Sequence, residues 1–366
     1  MKNLAKKHIL KIKPYRPGKP IGELKRELGI GNVIKLASNE NALKPSGRVI
    51  SRIAGSLRDL NRYPDSGCFY LKRKLSKKFG LRPENFVIGN GSDEVIVFAI
   101  RAFVKPGEEV IIARPTFLIY DIASRVENVK IRYVPLKDFR YDLASIKKAV
   151  RKKTKLVFIA NPDNPTGTYV TKSEVREFMA GLRKDVIAFF DEAYYEFGSG
   201  QGDYPETIRF IKGGNVIITR SFSKIYSLAG LRVGYGIAAK NLIEAMEKVR
   251  EPFNVNSLAQ EAALAALDDK GYTEKSIKIV KKGKEFLYSE LDSMGITYVP
   301  SATNFILIKI GKKAERVYKA LLKKGVIIRY MGAWGLNDFV RVTVGTMEEN
   351  RRFAKTLKGI LGGRKT

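Results

Sequence analysis

An α/β fold is what this sequence predicts: a large unit on a mainly parallel, seven-stranded sheet, joined to a smaller α+β unit. Three observations predict it. Between roughly residues 85 and 240, short Val- and Ile-rich runs alternate with helix-length amphipathic stretches, the pattern of strands joined by crossover helices in an open sheet. Polar clusters follow several of those runs, where such sheets bind ligands. In the last third, the alternation gives way to long helices and a few further strands.

The elements follow in chain order. Strands are expected at 86–88, 109–113, 130–134, 155–160, 186–191, 216–220 and 233–238, and helices at 93–103, 117–125, 142–150 and 172–182. Then come helices at 257–267 and 271–294, strands at 305–310, 326–329 and 339–344 around a helix at 313–324, and a closing helix at 347–361. The large unit is expected to span 50–250. The smaller one is expected to combine 1–49 with 251–366.

Composition narrows the function classes. A hydrophobic content of 44% over 366 residues is enough for a sizeable core. Apolar runs such as Val186-Ile-Ala-Phe-Phe190 are too short to span a membrane, and the basic, proline-bearing start does not read as a signal peptide. One cysteine, Cys68, and one histidine, His8, exclude an internal disulfide and argue against a zinc site, so no metal is expected. A reducing cytoplasm is the simplest setting. The net charge of +31 points to anionic partners. Yet the lysines are spread in pairs such as Lys77-Lys78 and Lys281-Lys282 over polar helix faces, without a nucleic-acid recognition motif. Weak, salt-sensitive polyanion binding is expected, not a specific nucleic-acid partner.

Four segments carry chemistry. Gly89-Asn-Gly-Ser-Asp-Glu94 stands between a strand and a helix. Gly91 permits close backbone approach, and a helix beginning at Ser92 and Asp93 offers free N–H groups to a phosphate. A tight turn capped by Ser92 or Asp93 would use the same residues. Asn161-Pro-Asp-Asn-Pro-Thr-Gly-Thr168 is a loop stiffened by two prolines, suited to presenting the Asn164 amide, though a plain turn is the alternative. Asp191 ends an apolar strand, where a carboxylate is costly unless paired. A protonated pyridine nitrogen is one such partner, and Tyr194 is spaced to reach a ring oxygen; a helix cap with a half-buried tyrosine is the alternative.

Ser221-Phe-Ser-Lys224, with Arg232 eight residues on, supplies an amine, two hydroxyls and a guanidinium fork. Burial and neighbouring cations would lower the lysine pKa enough for condensation with an aldehyde. Lysine and arginine number 68 here, so a solvated lysine is the default. The order phosphate loop, Asn loop, Asp-x-x-Tyr, Ser-x-Ser-Lys, then Arg argues otherwise. Together these groups are what pyridoxal 5'-phosphate requires.

On these motifs the chain resembles the fold-type I pyridoxal-phosphate aminotransferases, and within them the histidinol-phosphate aminotransferase family. The likeness runs over nearly the whole chain. It begins at Pro14-Tyr-Arg-Pro-Gly-Lys-Pro20, Ala37-Ser-Asn-Glu-Asn41 and Arg62-Tyr-Pro-Asp65, and ends at Ser301-Ala-Thr-Asn-Phe305 and Arg341-Val-Thr-Val-Gly-Thr346. The resemblance implies that Lys224 is the Schiff-base lysine and proton shuttle and Asp191 the pyridine partner. It makes Asn164 and Tyr194 the ring-oxygen ligands and Phe117 the stacking aromatic. Gly91, Ser92, Asp93, Ser221, Ser223 and Arg232 would surround the phosphate, with Tyr63 reaching it from the neighbouring subunit of a homodimer. Arg341, assisted by Arg329, Tyr15 and Asn41, would bind the substrate.

The implied reaction passes an amino group from L-glutamate to imidazole acetol phosphate, giving 2-oxoglutarate and L-histidinol phosphate. One departure stands on the substrate side: Ala42-Leu-Lys-Pro45 replaces the family's usual Pro-Leu-Gly-Pro. The alternatives are an aromatic or broad-specificity aminotransferase, a threonine-phosphate decarboxylase, and a basic nucleic-acid-binding protein. With about 35 residues before the Ser-Asn-Glu-Asn motif, no fused DNA-binding domain is expected.

Overall fold

A computed structural model of the chain describes residues 4–15 and 17–362; Arg16, inside the Pro14–Pro20 motif, lies outside the described residues. Among the described residues no helix is long and apolar enough to cross a membrane. The first elements are α1 (Ile21–Leu28), β1 (Ile34–Lys35), α2 (Gly47–Ser56) and α3 (Phe69–Phe79). The large unit alternates β2 (Phe86–Gly89), α4 (Ser92–Phe103), β3 (Glu109–Arg114), α5 (Leu118–Val126), β4 (Lys130–Pro135) and α6 (Leu143–Ala149). It continues through β5 (Thr154–Ala160), α7 (Lys172–Gly181), β6 (Ile187–Asp191), α8 (Tyr195–Gly198), β7 (Val216–Ser221), β8 (Gly234–Ala238) and α9 (Lys240–Glu247).

These seven strands form one sheet in the order β2-β8-β7-β6-β5-β3-β4. β3 to β7 run parallel, and β8 runs antiparallel to both its neighbours. The central strands β5 and β6 are almost wholly buried, because helices cover both faces, while the edge strand β4 exposes Lys130. All seven expected strands lie within a residue or two of their expected bounds. The chain winds outward from β3 to β4 and then returns past β3 to β5. The carboxyl ends of β3 and β5 therefore diverge at a switch point, where such sheets open a ligand crevice.

The rest of the chain holds α10 (Ser257–Leu267), α11 (Lys270–Ser293), β9 (Tyr298–Val299), β10 (Phe305–Lys309), α12 (Ala314–Lys323), β11 (Val326–Ile327), β12 (Arg329–Tyr330), β13 (Phe339–Thr343) and α13 (Met347–Gly362). An antiparallel sheet of order β12-β13-β10-β9 packs on α11, α12 and α13 through Leu287, Leu321 and Phe353. Two expectations need correction. The strand expected at 326–329 is two: β11 pairs with β1, and β12 turns away to pair with β13. And α10, read with the smaller unit, buries Ala259, Ala262, Ala263 and Ala266 in the core of the large one.

Candidate active site

The crevice at the strand ends is a cavity of about 370 Å³, large enough for a cofactor-sized ligand. It gathers thirteen of the expected residues: Tyr15, Ser92, Asp93, Phe117, Asn164, Asp191, Tyr194, Ser221, Ser223, Lys224, Arg232, Arg329 and Arg341. The large sheet supplies most of them. β3 leads to Phe117, β5 to Asn164, β6 ends in Asp191, and β7 ends in Ser221 and leads into the Lys224 turn. The smaller sheet supplies two arginines. Its register sets Arg329 directly opposite Arg341, so both side chains leave the same face.

At the sheet's core, the Asp191 carboxylate is 5% exposed. It accepts from the Tyr120 hydroxyl at 2.6 Å and from the Ala193 amide at 3.1 Å. Burial pushes its pKa up to about 6, against those two bonds. Beside it the Tyr194 hydroxyl accepts from the Asn39 amide at 2.8 Å, and burial pushes the phenol up to about 12. The Lys224 amine donates to the Ser38 carbonyl at 3.3 Å. Burial, reinforced by the Arg341 guanidinium, pulls it down to about 8.

At one end lies the turn into α4. Gly91 has φ 91°, and a side chain there would collide with the Asp93 carboxylate and the Arg232 guanidinium, so glycine is required. Arg232 pairs with Asp93 at 2.7 Å. At the other end, Arg341 donates to the Asn164 Oδ1 and, at 3.1 Å, to the Ala37 carbonyl. Burial pulls its guanidinium down to about 10. Its Cζ lies 5.1 Å from the Phe305 ring centroid and 5.9 Å from that of Trp334. Under the floor, Asp163 is fully buried and accepts from Thr116 at 2.7 Å and from Thr166 at 2.8 Å. This bond ties the Phe117 turn to the Asn164 loop.

Three expected residues are not among the cavity's lining: Gly91, in the turn just described, and Tyr63 and Asn41, which stand apart from it. Tyr63 is 82% exposed and stacks on Phe253 with centroids 4.6 Å apart. Asn41, expected at the substrate, instead spends its amide on the Lys224 and Ile225 carbonyls, both at 3.0 Å, and on Ser276 at 3.1 Å. It holds the lysine turn from behind. The departing Ala42-Leu-Lys-Pro45 segment is tied down beside it: Ser227 donates to the Leu43 carbonyl at 3.0 Å and Tyr272 to that of Lys44 at 2.8 Å.

Sequence reasoning missed Tyr120, Asn39 and Trp334, all of which line the cavity. Tyr120 sits one helical turn after Phe117, and that spacing was a usable signal. Asn39 stood inside a quoted motif. Trp334 lies in a Gly-x-x-Gly turn that carries no periodicity.

The sequence profile of the family "Aminotransferase class I and II" matches residues 31–357. Histidinol-phosphate aminotransferase 2 of Carboxydothermus hydrogenoformans is 47% identical over 98% of this chain and 99% of its own. Histidinol-phosphate aminotransferase of Moorella thermoacetica is 45% identical over 96% and 92%. Among solved structures, histidinol-phosphate aminotransferase from Sinorhizobium meliloti in complex with pyridoxal-5'-phosphate superposes with a TM-score of 0.91. That pair is 27% identical, over 99% of this chain and 98% of the other. With likeness of this extent in both sequence and fold, the chain belongs to the class I and II aminotransferases, in the histidinol-phosphate aminotransferase family.

Proposed function

We propose that the protein catalyses pyridoxal-phosphate-dependent transfer of an amino group from L-glutamate to imidazole acetol phosphate, yielding 2-oxoglutarate and L-histidinol phosphate. One observation carries this reading. A lysine of lowered pKa, a buried carboxylate and a buried guanidinium converge on one cavity, in a chain whose relatives bear that enzyme's name.

The residues fit the cofactor. Asp191 is a buried carboxylate bonded to neutral donors, and a protonated ring nitrogen would supply its missing charge partner. At the Gly91 turn a side chain would displace the Asp93 carboxylate and the Arg232 guanidinium. There Ser92, Asp93, Ser221, Ser223 and Arg232 would surround the phosphate. Phe117 would cover one ring face, and Asn164 and Tyr194 would reach the ring oxygen. When bound, pyridoxal phosphate supplies the aldehyde that takes the amino group and a ring that delocalises the electron pair left by the departing α-proton.

The chain's own residues do the rest. Lys224, neutral above about pH 8, would be the base that takes the substrate's α-proton on Nζ and holds it for return. Tyr194, protonated well past neutrality, donates a hydrogen bond without ionising. Arg341 and Arg329 hold a carboxylate in one half-reaction and a phosphate in the other.

We read the enzyme as a cytoplasmic homodimer. Ile50, Leu57, Leu60, Tyr63 and Tyr70 are each about half exposed or more, apolar side chains that a second copy would cover. Tyr63 would act from there on the neighbour's phosphate site. Tyr63→Phe should weaken cofactor retention, and unchanged retention and rate would remove that role.

The central test follows the visible absorbance of the bound cofactor after excess is removed. L-Histidinol phosphate should bleach it and 2-oxoglutarate should restore it. Bleaching by phenylalanine or tyrosine but not by L-histidinol phosphate would replace the proposal with an aromatic aminotransferase.

A further inference from the structure

We propose that Trp334 sets the pocket's selectivity for a phosphate monoester over a carboxylate, by holding Arg329 and Arg341 together as one anion clamp. This rests on the reading above that these two arginines take the substrate's anionic group.

The register of β12 and β13 brings the two cations to one face. So placed they repel, and Arg329 is one of the neighbours that disfavour the charged form of Arg341. What lies against both is an indole. The Trp334 ring centroid is 5.2 Å from the Arg329 Cζ and 5.9 Å from the Arg341 Cζ. The side chain is 6% exposed, and in a dry setting the negative face of an indole attracts a guanidinium more strongly than at a wet surface. Tyr15 lies 6.0 Å from Arg329, and Phe305 5.1 Å from Arg341. The clamp also has a donor in reserve: among the described residues, the buried Nε of Arg341 has no hydrogen-bond partner.

The chemistry of the two substrates then separates. A carboxylate is planar, and one guanidinium fork satisfies it through two parallel bonds. A phosphate monoester is tetrahedral, carries close to two charges and offers a third oxygen, so it profits from a second guanidinium. Without the indole, like-charge repulsion separates the arginines and the phosphate loses more than the carboxylate does. Trp334 touches no reacting atom; it is a positioning residue.

The test uses the holoenzyme and its Trp334→Leu and Trp334→Phe variants. Each half-reaction is followed separately by cofactor absorbance, with L-histidinol phosphate or with L-glutamate, and inorganic phosphate is titrated as a competitor. Trp334→Leu should raise KM for L-histidinol phosphate and the inhibition constant of phosphate about tenfold. KM for glutamate should rise less than about threefold, with both saturated rates kept within about twofold. Trp334→Phe, whose ring is a weaker cation partner, should fall between.

Equal rises for both substrates, or an unchanged KM for L-histidinol phosphate, would overturn the proposal. If Trp334→Leu does not fold, Trp334→Phe decides: an unchanged ratio of the two KM values overturns it. A wild type that reacts with glutamate but not with L-histidinol phosphate defeats the functional reading instead. In that event the clamp stands or falls on whether the substitution shifts the phosphate inhibition constant.

Discussion

The two ends of the cavity handle charge in opposite ways. At the α4 end, Arg232 faces Asp93 at 2.7 Å, each side chain a little under half exposed. At the far end, Arg341 is 5% exposed and bonds to the neutral oxygens of Asn164 and Ala37. The first end is charge-balanced before any anion arrives, so a phosphate there would be held by converging donors: the α4 N-terminus, the serine hydroxyls and one guanidinium. The second end is a buried cation, and an anion completes it. The permanent guest and the exchanging one thus call for different electrostatics.

The scaffolds differ as well. The residues proposed to hold the cofactor follow adjacent parallel strands, two of which are tied together by the buried Glu192–Arg220 pair at 2.8 Å. Arg341 stands on a smaller antiparallel sheet.

The largest effect belongs to the group between the ends. Lys224→Ala should lower turnover by at least about 10⁴-fold, from the loss of both amine and proton carrier. Stopped-flow absorbance would show it, and substantial residual turnover would remove Lys224 from the mechanism. Next, Glu192→Ala strands the Arg220 guanidinium, which is 3% exposed against the Tyr195 ring. It should cost about 3–5 kcal/mol in urea unfolding, the usual penalty for breaking a buried pair. A loss under about 1 kcal/mol would mean that the strand ends are not locked there.

A third substitution asks whether the two ends communicate. Lys224 is depressed to about 8 first by burial and then by Arg341. Its amine is therefore protonated below about pH 8 and free above, and the rate of cofactor capture by the cofactor-free chain should rise through that pH. Arg341 is the buried cation that would take the anionic group of L-histidinol phosphate and so set its KM. Arg341→Gln should raise that KM roughly 10²-fold by removing charge-assisted bonds. It should also move the midpoint of cofactor capture above 8. A midpoint that stays put would show the Arg341 end and Lys224 to be electrically independent.

How much of this was legible in the sequence depends on how much burial each element has. The strands β2, β3 and β5 to β8 lie buried or nearly so along most of their length and read plainly as apolar runs. β1, β11 and β12 are two residues each, too short to show any period, so the break at Ile328 was invisible. Asn41 illustrates a subtler limit. It and Asn39 are the same residue type two positions apart, which an extended chain would point the same way. Asn39 instead adopts φ 54°, and that turn hands the pocket to Asn39 and the lysine turn to Asn41. Trp334 depends on a long-range register, Arg329 opposite Arg341, that no local pattern encodes.

The smallest effect should come from Asp93→Asn, and its size tests the claim that the α4 end is already balanced. A pair this exposed is screened by water, and such pairs contribute about 0.2–1 kcal/mol, so the fold should hardly notice. Asp93 also helps to keep Lys224 protonated. Removing its charge should move the capture midpoint downward, opposite to Arg341→Gln and by less, because burial and Arg341 outrank it. Cofactor retention, read by dialysis and absorbance, should tighten or hold within about fivefold, since Arg232 would be released to the phosphate. Loss of retention by tenfold or more would mean that the carboxylate itself orders the cradle. The asymmetry between the two ends would then lie in geometry, not in charge.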